Sequence, residues 1–328
     1  MIARNALRAR ARAALCCLLA AASLALVPQG ALSQQRQIKI INPYPPGGTA
    51  DIIIRLLTEQ IGRAQGVAFV IENRPGAGTV IGSDLASRAA PDGNTLLINT
   101  PALLINAHLR KLNFDSLASF EPICNMAQSP QLLMVNSTSP YKTMADFVAA
   151  ARARPGELTL ASTGPASPSQ IGLENLKHAS GLDIIYVPFP GNAPTVNALL
   201  GGHVTAGIAN FADLTGHMQA GKLRALVTLT PSRVATLPGL PTVAEAGFKE
   251  FEYLIWFGLV APAKTPPQTV KQLADWIAAA RQAPEVKDKL GIQGLFPATE
   301  CGADFAALMR HDYETYGRVI HDAGIKGE

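Results

Sequence analysis

The sequence predicts an α/β protein of two lobes with a ligand cleft between them, and three observations carry that expectation. Strand-like and helix-like stretches alternate almost throughout, the pattern of α/β layers. Once an N-terminal leader is set aside, about 295 residues remain, more than one compact core usually holds. Turns rich in Gly, Ser, Thr and Asn follow the strands at residues 44–51, 99–103, 162–170 and 189–195. Ligands of α/β sheets bind beyond the carboxyl ends of strands. Two of these loops lie in the N-terminal block and two in the middle block, so a cleft between lobes would be lined by both pairs.

Residues 1–33 read as a secretory signal. Arg4, Arg8, Arg10 and Arg12 form its basic region, residues 13–27 its apolar region, and Ala31-Leu32-Ser33 a small-residue cleavage site. The apolar run is shorter than the roughly 20 residues that span a bilayer, and no later run approaches that length. Leu15 before Cys16 is too large for a lipoprotein site. The expectation is export to the periplasm with the signal removed. The leader carries four arginines and no acids, so 28 basic residues fall to 24 against 24 acidic ones. A near-neutral mature chain lacks the basic field that nucleic-acid binding requires.

The first strand is read at 38–41, and Tyr44-Pro45-Pro46-Gly47-Gly48-Thr49-Ala50-Asp51 turns rigidly into an apolar-periodic helix from Ile52. That places a nearly side-chain-free loop at a helix N-terminus, where amides lack intrahelical partners and the dipole is positive. Gly47 and Gly48 let an anion approach those amides. No Lys or Arg lies in the turn, so the loop is suited to an organic acid held without a counter-charge. Asp51, itself negative, is expected to fix the loop or a bridging water.

A strand at 68–71, a Gly-rich turn, a helix at 81–89, the Pro91-Asp92-Gly93 turn and a strand at 94–99 follow. Residues 120–126 and 132–135 read as two extended pieces. Thr143 with Asp146 forms a capping box for a helix through Arg152, ended by Pro155-Gly156. A strand at 158–161 leads to Ser167 as N-cap and Pro168 at the first helical position of a helix ending at Gly181. A strand at 184–187, a turn at Gly191-Asn192-Ala193, a helix at 195–200, and strands at 204–209 and 223–228 close the middle block. A Pro-rich connector at 231–241, a strand at 253–260 and helices at 268–282, 285–290 and 304–320 complete the chain.

Catalytic and cofactor signatures are absent. The glycines of Gly76-Ala77-Gly78-Thr79-Val80-Ile81-Gly82 are spaced G-x-G-x-x-x-G, and Asn73-Arg74-Pro75 intervenes after the strand, so the dinucleotide fingerprint fails. A turn with close backbone packing is the alternative. There is no G-x-S-x-G elbow, H-E-x-x-H or Cys-x-x-Cys, and the histidines are scattered. The expectation is no enzyme, no metal and no cofactor. Cys124 and Cys301, the only mature cysteines, are either bridged or two small buried hydrophobes.

The chain resembles the receptors of tripartite tricarboxylate transporters, the Bug-type periplasmic proteins. The likeness runs through Pro43-Tyr44-Pro45-Pro46-Gly47-Gly48, Glu72-Asn73-Arg74-Pro75-Gly76-Ala77-Gly78, Ala90-Pro91-Asp92-Gly93 and Tyr186-Val187-Pro188. It continues in Leu199-Leu200-Gly201-Gly202, Gly221-Lys222-Leu223-Arg224-Ala225-Leu226, Leu240-Pro241-Thr242-Val243-Ala244-Glu245-Ala246-Gly247 and Gly258-Leu259-Val260-Ala261-Pro262. The resemblance implies a type II periplasmic-binding-protein fold with crossing segments near 120–126 and 223–228. Lobe 1 would comprise 34–125 with 230–328, and lobe 2 126–229. A carboxylate would be held at Tyr44, Pro46, Gly47, Gly48, Thr49 and Asp51, partly through water, with Thr100 and Ala102 from the second loop. Ser162, Thr163, Ser167, Ser169, Gly191, Asn192 and Ala193 would face it. The implied partners are a small organic acid and, transiently, the membrane subunits of such a transporter, with the receptor itself a monomer.

Three positions depart from the family. Pro190 stands where a basic residue is common, Asn192 replaces the second glycine of a pair, and Ile208 and Ala209 occupy the places of an aromatic and an acid. The distal loops offer no Arg or Lys, so monocarboxylates with a polar or aromatic far end should bind at least as well as citrate. An exported hydrolase on a similar shell, or the ligand-presenting partner of a sensor, are the alternative readings.

Overall fold

The computed structural model describes residues 36–164, 167–230, 232–248 and 254–327. The expected leader at 1–33 lies outside the described residues, as do Pro165 and Ala166 of the third loop, Pro231 of the connector and Tyr253 of the last expected strand.

The N-terminal block runs β1 (Gln37–Asn42), α1 (Thr49–Gln65), β2 (Ala68–Asn73), α2 (Val80–Ser87), β3 (Thr95–Asn99) and α3 (Ala102–Leu109). β1 pairs in parallel with β2 and β3, and Ile38, Ile40 and Ile41 are buried, as befits a parallel strand covered on both faces. Ile53, Ile54, Leu57 and Ile61 form the buried stripe of α1, and Gly66 ends the helix, its N–H donating to the Gly62 carbonyl at 3.0 Å. The last glycine of the 76–82 segment falls inside α2 and is a packing device. A Cβ on Gly82 would lie 2.8 Å from Cβ of Pro43, so α2 rests directly on the chain that enters the 44–51 loop. α3 has no legible sequence signal because Ala102 to Asn106 are all buried, which removes any apolar-polar period.

β4 (Phe120–Asn136) follows, then α4 (Met144–Ala153), β5 (Thr159–Thr163), α5 (Pro168–Ser180), β6 (Ile185–Phe189), α6 (Asn192–Leu200), β7 (Ala206–Asn210), α7 (Phe211–Gln219) and β8 (Leu223–Thr228). The capping box of α4 is present: the Asp146 N–H donates to Thr143 Oγ1 at 3.1 Å and the Thr143 N–H to Asp146 Oδ2 at 2.9 Å. The turn expected at Gly191-Asn192-Ala193 is the start of α6, with Gly191 as N-cap and Asn192 and Ala193 already helical. The chain ends with β9 (Leu254–Pro262), α8 (Pro267–Gln282), α9 (Pro284–Ile292), β10 (Phe296–Pro297) and α10 (Ala303–Asp322).

The two extended pieces expected at 120–126 and 132–135 are one strand of 17 residues, and it joins the halves of the molecule. Its first part pairs antiparallel with β9, which continues to β3, and with β10. From Gln131 onward it pairs antiparallel with β7 and β8. The strand order is β2-β1-β3-β9-β4-β7-β5-β6, with β8 and β10 added on β4. β8 stays with the second part of β4, and Leu229 continues the contact, its N–H donating to the Gln131 carbonyl at 2.9 Å. Cys124 and Cys301 are bridged. Backbone bonds flank the bridge, from the Asn125 N–H to the Glu300 carbonyl and from the Gly302 N–H to the Ile123 carbonyl, both 2.9 Å.

Candidate functional site

The 44–51 loop is built from its own polar groups. Asn42 Oδ1 accepts the Tyr44 N–H at 3.3 Å, and Asn73 Nδ2 donates to the Tyr44 carbonyl at 3.1 Å. The Tyr44 hydroxyl lies 2.8 Å from Thr100 Oγ1 and 3.3 Å from Asn99 Oδ1, which ties the first loop to the second. Burial pushes the phenol above its ordinary value, and the hydrogen bonds to Thr100 offset only part of that, so Tyr44 stays neutral. Thr100 Oγ1 also accepts the Ala102 N–H at 3.2 Å, fixing the entry to α3.

Asp51 is buried in the first turn of α1 and clamps the loop. Its Oδ2 accepts the Gly47 N–H at 3.1 Å and Arg55 Nε at 2.7 Å, and its Oδ1 accepts Arg55 Nη2 at 3.1 Å and Asn73 Nδ2 at 3.3 Å. Burial alone would raise this carboxyl, but the bonds from Arg55, Gly47 and Asn73 win and hold it below the usual carboxylate range. The Gly47 amide is therefore spent internally. Gly48, Thr49 and Ala50 supply the first-turn amides that a helix leaves without intrahelical partners. Gly47 has φ +80°, which a side chain resists, whereas Gly48 has φ −79° and is the N-cap.

The opposing loops form a second network. Ser167 Oγ donates to the Thr163 carbonyl at 2.7 Å and accepts the Gln170 N–H at 3.2 Å, so its hydroxyl serves the cap of α5. The same carbonyl accepts from the Ser162 hydroxyl at 3.1 Å and the Tyr186 hydroxyl at 3.0 Å. Ser169 Oγ accepts Gln131 Nε2 at 2.9 Å and the Thr163 hydroxyl at 3.3 Å. Gln131 Nε2 also donates to Asn210 Oδ1 at 3.0 Å. Asn192 Nδ2 donates to Asp213 Oδ2 at 2.6 Å, and the polar side chains of Asn210 and Thr49 lie near enough to favour the charged carboxylate. Burial raises the Asp213 carboxyl, offset in part by those three neutral side chains.

The structure thus bonds Tyr44 to Thr100 and Asn192 to Asp213, with Thr49 near the same carboxyl. Thr163 and Ser169 join the same cluster through Gln131 and Asn210. Gly191 shapes the start of α6, its carbonyl accepting the Thr195 hydroxyl at 2.9 Å, while Ala193 and Pro46 are exposed. Sequence reasoning missed Gln131 and Asp213. Asp213 has a legible signal, an acid in the first turn of a helix just after a strand, displaced from the Ile208–Ala209 positions where the family pattern directs attention. Gln131 has none, since it sits inside an apolar strand. Among the described residues, no group of three or more His, Cys, Asp or Glu is placed to hold a metal, and no helix is long and apolar enough to cross a membrane.

Two α/β lobes joined by a shared strand, with polar loops at the strand ends of each, are the architecture of a solute-binding receptor of the periplasmic binding-protein class. Residues 53–325 match the family described as tripartite tricarboxylate transporter family receptor, and the chain belongs to that family. It is 31% identical to Protein BugT of Bordetella pertussis over 294 residues, 89% of this chain and 90% of that one. Among solved structures, an R. palustris protein with adipate superposes with a TM-score of 0.84 at 31% identity, covering 90% of this chain and 99% of that one. MatC from Rhodopseudomonas palustris with bound malate gives 0.79 at 26% identity, covering 87% and 99%.

Proposed function

We propose that this protein captures a small carboxylate-bearing organic acid in the periplasm and delivers it to the membrane subunits of a tripartite tricarboxylate-type transporter. The observation that carries the reading is the loop at the N-terminus of α1. Asp51 clamps it, a glycine pair bares it, its remaining first-turn amides lack intrahelical partners, and the Thr49 side chain lies near Asp213 of the second lobe. The relatives with adipate and with malate support the same ligand class.

In this reading Gly48, Thr49 and ordered water hold the proximal carboxylate, beside Tyr44 and Thr100. Pro46 and Gly47 shape the loop, and Ala102 lines its floor. Ser162, Thr163, Ser169, Gly191, Asn192 and Ala193 face the far end, with Ser167 supporting them through its cap. Lobe 1 comprises 34–125 with 230–328 and lobe 2 comprises 126–229. The leader at 1–33 is removed on export, and the mature receptor works as a monomer.

A thermal-shift screen of organic acids, followed by calorimetry, tests the proposal. A ligand that binds only the native state raises stability by about 2.7 kcal/mol at a hundredfold excess over its dissociation constant. Failure of every small carboxylate to bind at millimolar concentration overturns it.

A further inference from the structure

At the strand ends of the second lobe, the polar cluster of Gln131, Ser169, Asn192, Asn210 and Asp213 has unused acceptors and, among the described residues, no Lys or Arg hydrogen-bonded to it. Asp213 places a carboxylate there, bonded by the neutral Asn192, with the neutral side chains of Asn210 and Thr49 nearby. That carboxylate sets the direction of the surrounding amides. Asn192 turns its NH2 to Asp213 at 2.6 Å, which leaves its Oδ1 buried without a donor. Asn210, beside Asp213, uses its Oδ1 to accept Gln131 Nε2 at 3.0 Å. Gln131 spends its other N–H on Ser169, so Gln131 Oε1 is also buried without a partner, in a residue only 1% exposed. An acceptor buried without a donor is costly, and flipping either amide would set oxygen against oxygen.

We propose that Asp213 is the specificity-determining residue of this cleft, and that it selects acids whose far end is a protonated amine. The ligand class is then small zwitterionic amino acids, not di- or tricarboxylates. The inference rests on the receptor reading above and deepens it. A second carboxylate placed against this cluster meets an acid and two amide oxygens with no counter-charge. An ammonium brings three donors and the opposite charge to the same groups.

Calorimetry on the purified protein compares amino acids of roughly three to six carbons, with the amine at the α or terminal position, against unsubstituted and dicarboxylic acids of matched length. An amine-bearing acid is expected to bind at least about tenfold more tightly than its counterparts. In Asp213→Asn that preference shrinks by about tenfold or more, and dicarboxylates gain. A dicarboxylate that wins on the wild-type protein overturns the inference without recourse to any variant. An unchanged preference in a folded Asp213→Asn protein overturns it too, leaving Asp213 as a contact between lobes only. If no acid of any kind binds, the receptor reading falls; if acids bind without an amine preference, only this inference falls.

Discussion

Asn192 on α6 donates its Nδ2 to the Asp213 carboxylate on α7 at 2.6 Å, and Thr49 at the start of α1 is near enough to that carboxyl to favour its charged form. A hydrogen bond to a charged group contributes about 1.5–3 kcal/mol, enough to shift a two-state equilibrium tenfold or more. A bond of that kind between Thr49 and Asp213 would bias the lobes toward closure. Thr49→Val keeps the shape and removes the hydroxyl. Small-angle scattering should show a larger radius of gyration for the ligand-free variant than for ligand-free wild type, with the two equal at saturating ligand. Identical ligand-free radii would mean that Thr49 does not govern closure.

Gly48 and Gly47 separate the needs of the ligand from the needs of the backbone. A Cβ on Gly48 would meet only the Pro45 carbonyl, at an ordinary 3.6 Å. Gly48→Val should therefore fold normally while its branches block the first-turn amides, weakening acid binding about a hundredfold or more by calorimetry. Gly47→Val should instead lose stability by roughly 1–3 kcal/mol, because φ +80° is costly for a β-branched residue. Unchanged affinity in Gly48→Val would remove the amides from the binding account.

Asp51→Ala should cost about 1.5–3 kcal/mol in urea unfolding and weaken ligand binding together. The substitution strips the acceptor from the Gly47 amide and Asn73, while the half-exposed Arg55 head rehydrates. The Asp51 carboxyl is held below its ordinary range, so its contribution is present at neutral pH. It is lost only as pH falls through the depressed value. A stable, tight-binding alanine variant would show that the loop holds itself.

Asp312 has the opposite sign. Burial pushes its carboxyl up to about 6, against an offsetting hydrogen bond from Trp256 Nε1 at 2.7 Å. A raised carboxyl stabilises fully below its unfolded value, and that contribution drains away as pH rises from about 4 through 6. Asp312→Asn should therefore be more stable than wild type at pH 7, by on the order of 2 kcal/mol, with the advantage gone near pH 4. Denaturant titrations at the two pH values, followed by tryptophan fluorescence, check it. A difference independent of pH would contradict the assignment.

The bridge between Cys124 and Cys301 spans 177 positions and ties the segment before α10 to β4. Removing both cysteines as alanines should lower stability by about 2–5 kcal/mol, chiefly by freeing the unfolded chain. The ligand loops lie elsewhere, so affinity measured well below the melting temperature should stay within about twofold. A large affinity loss would place the bridge in the closure mechanism.

Legibility followed the range of each signal. Thr143 and Asp146 announced the cap of α4 three residues apart, and Ser167 with Pro168 announced the start of α5, because both signals are complete within one helical turn. Asn192 and Ala193 read as turn although they begin a helix, since the Gly before them is equally at home in either. The continuity of β4 through residues 127–131 depends on Phe257, Leu254 and Asn210 arriving as partners from far along the chain. No window of sequence contains them.

By itself the sequence determined the α/β alternation, the family, and the glycine-bared loop at the head of α1, because periodicity, capping and turn chemistry act among near neighbours. The tertiary structure alone decided that Cys124 meets Cys301, and that Asp51 spends the Gly47 amide. It also decided that Asn192 bonds Asp213, that Gln131 bonds Asn210, and that Thr49 and Asn210 gather near the Asp213 carboxyl. Those groups come from α1, α6, β7, β4 and α7, elements separated in sequence and brought together only when the lobes pack. A carboxylate's role depends on the donors that surround it in space, and that surrounding is set by packing, not by the residues beside it in the chain.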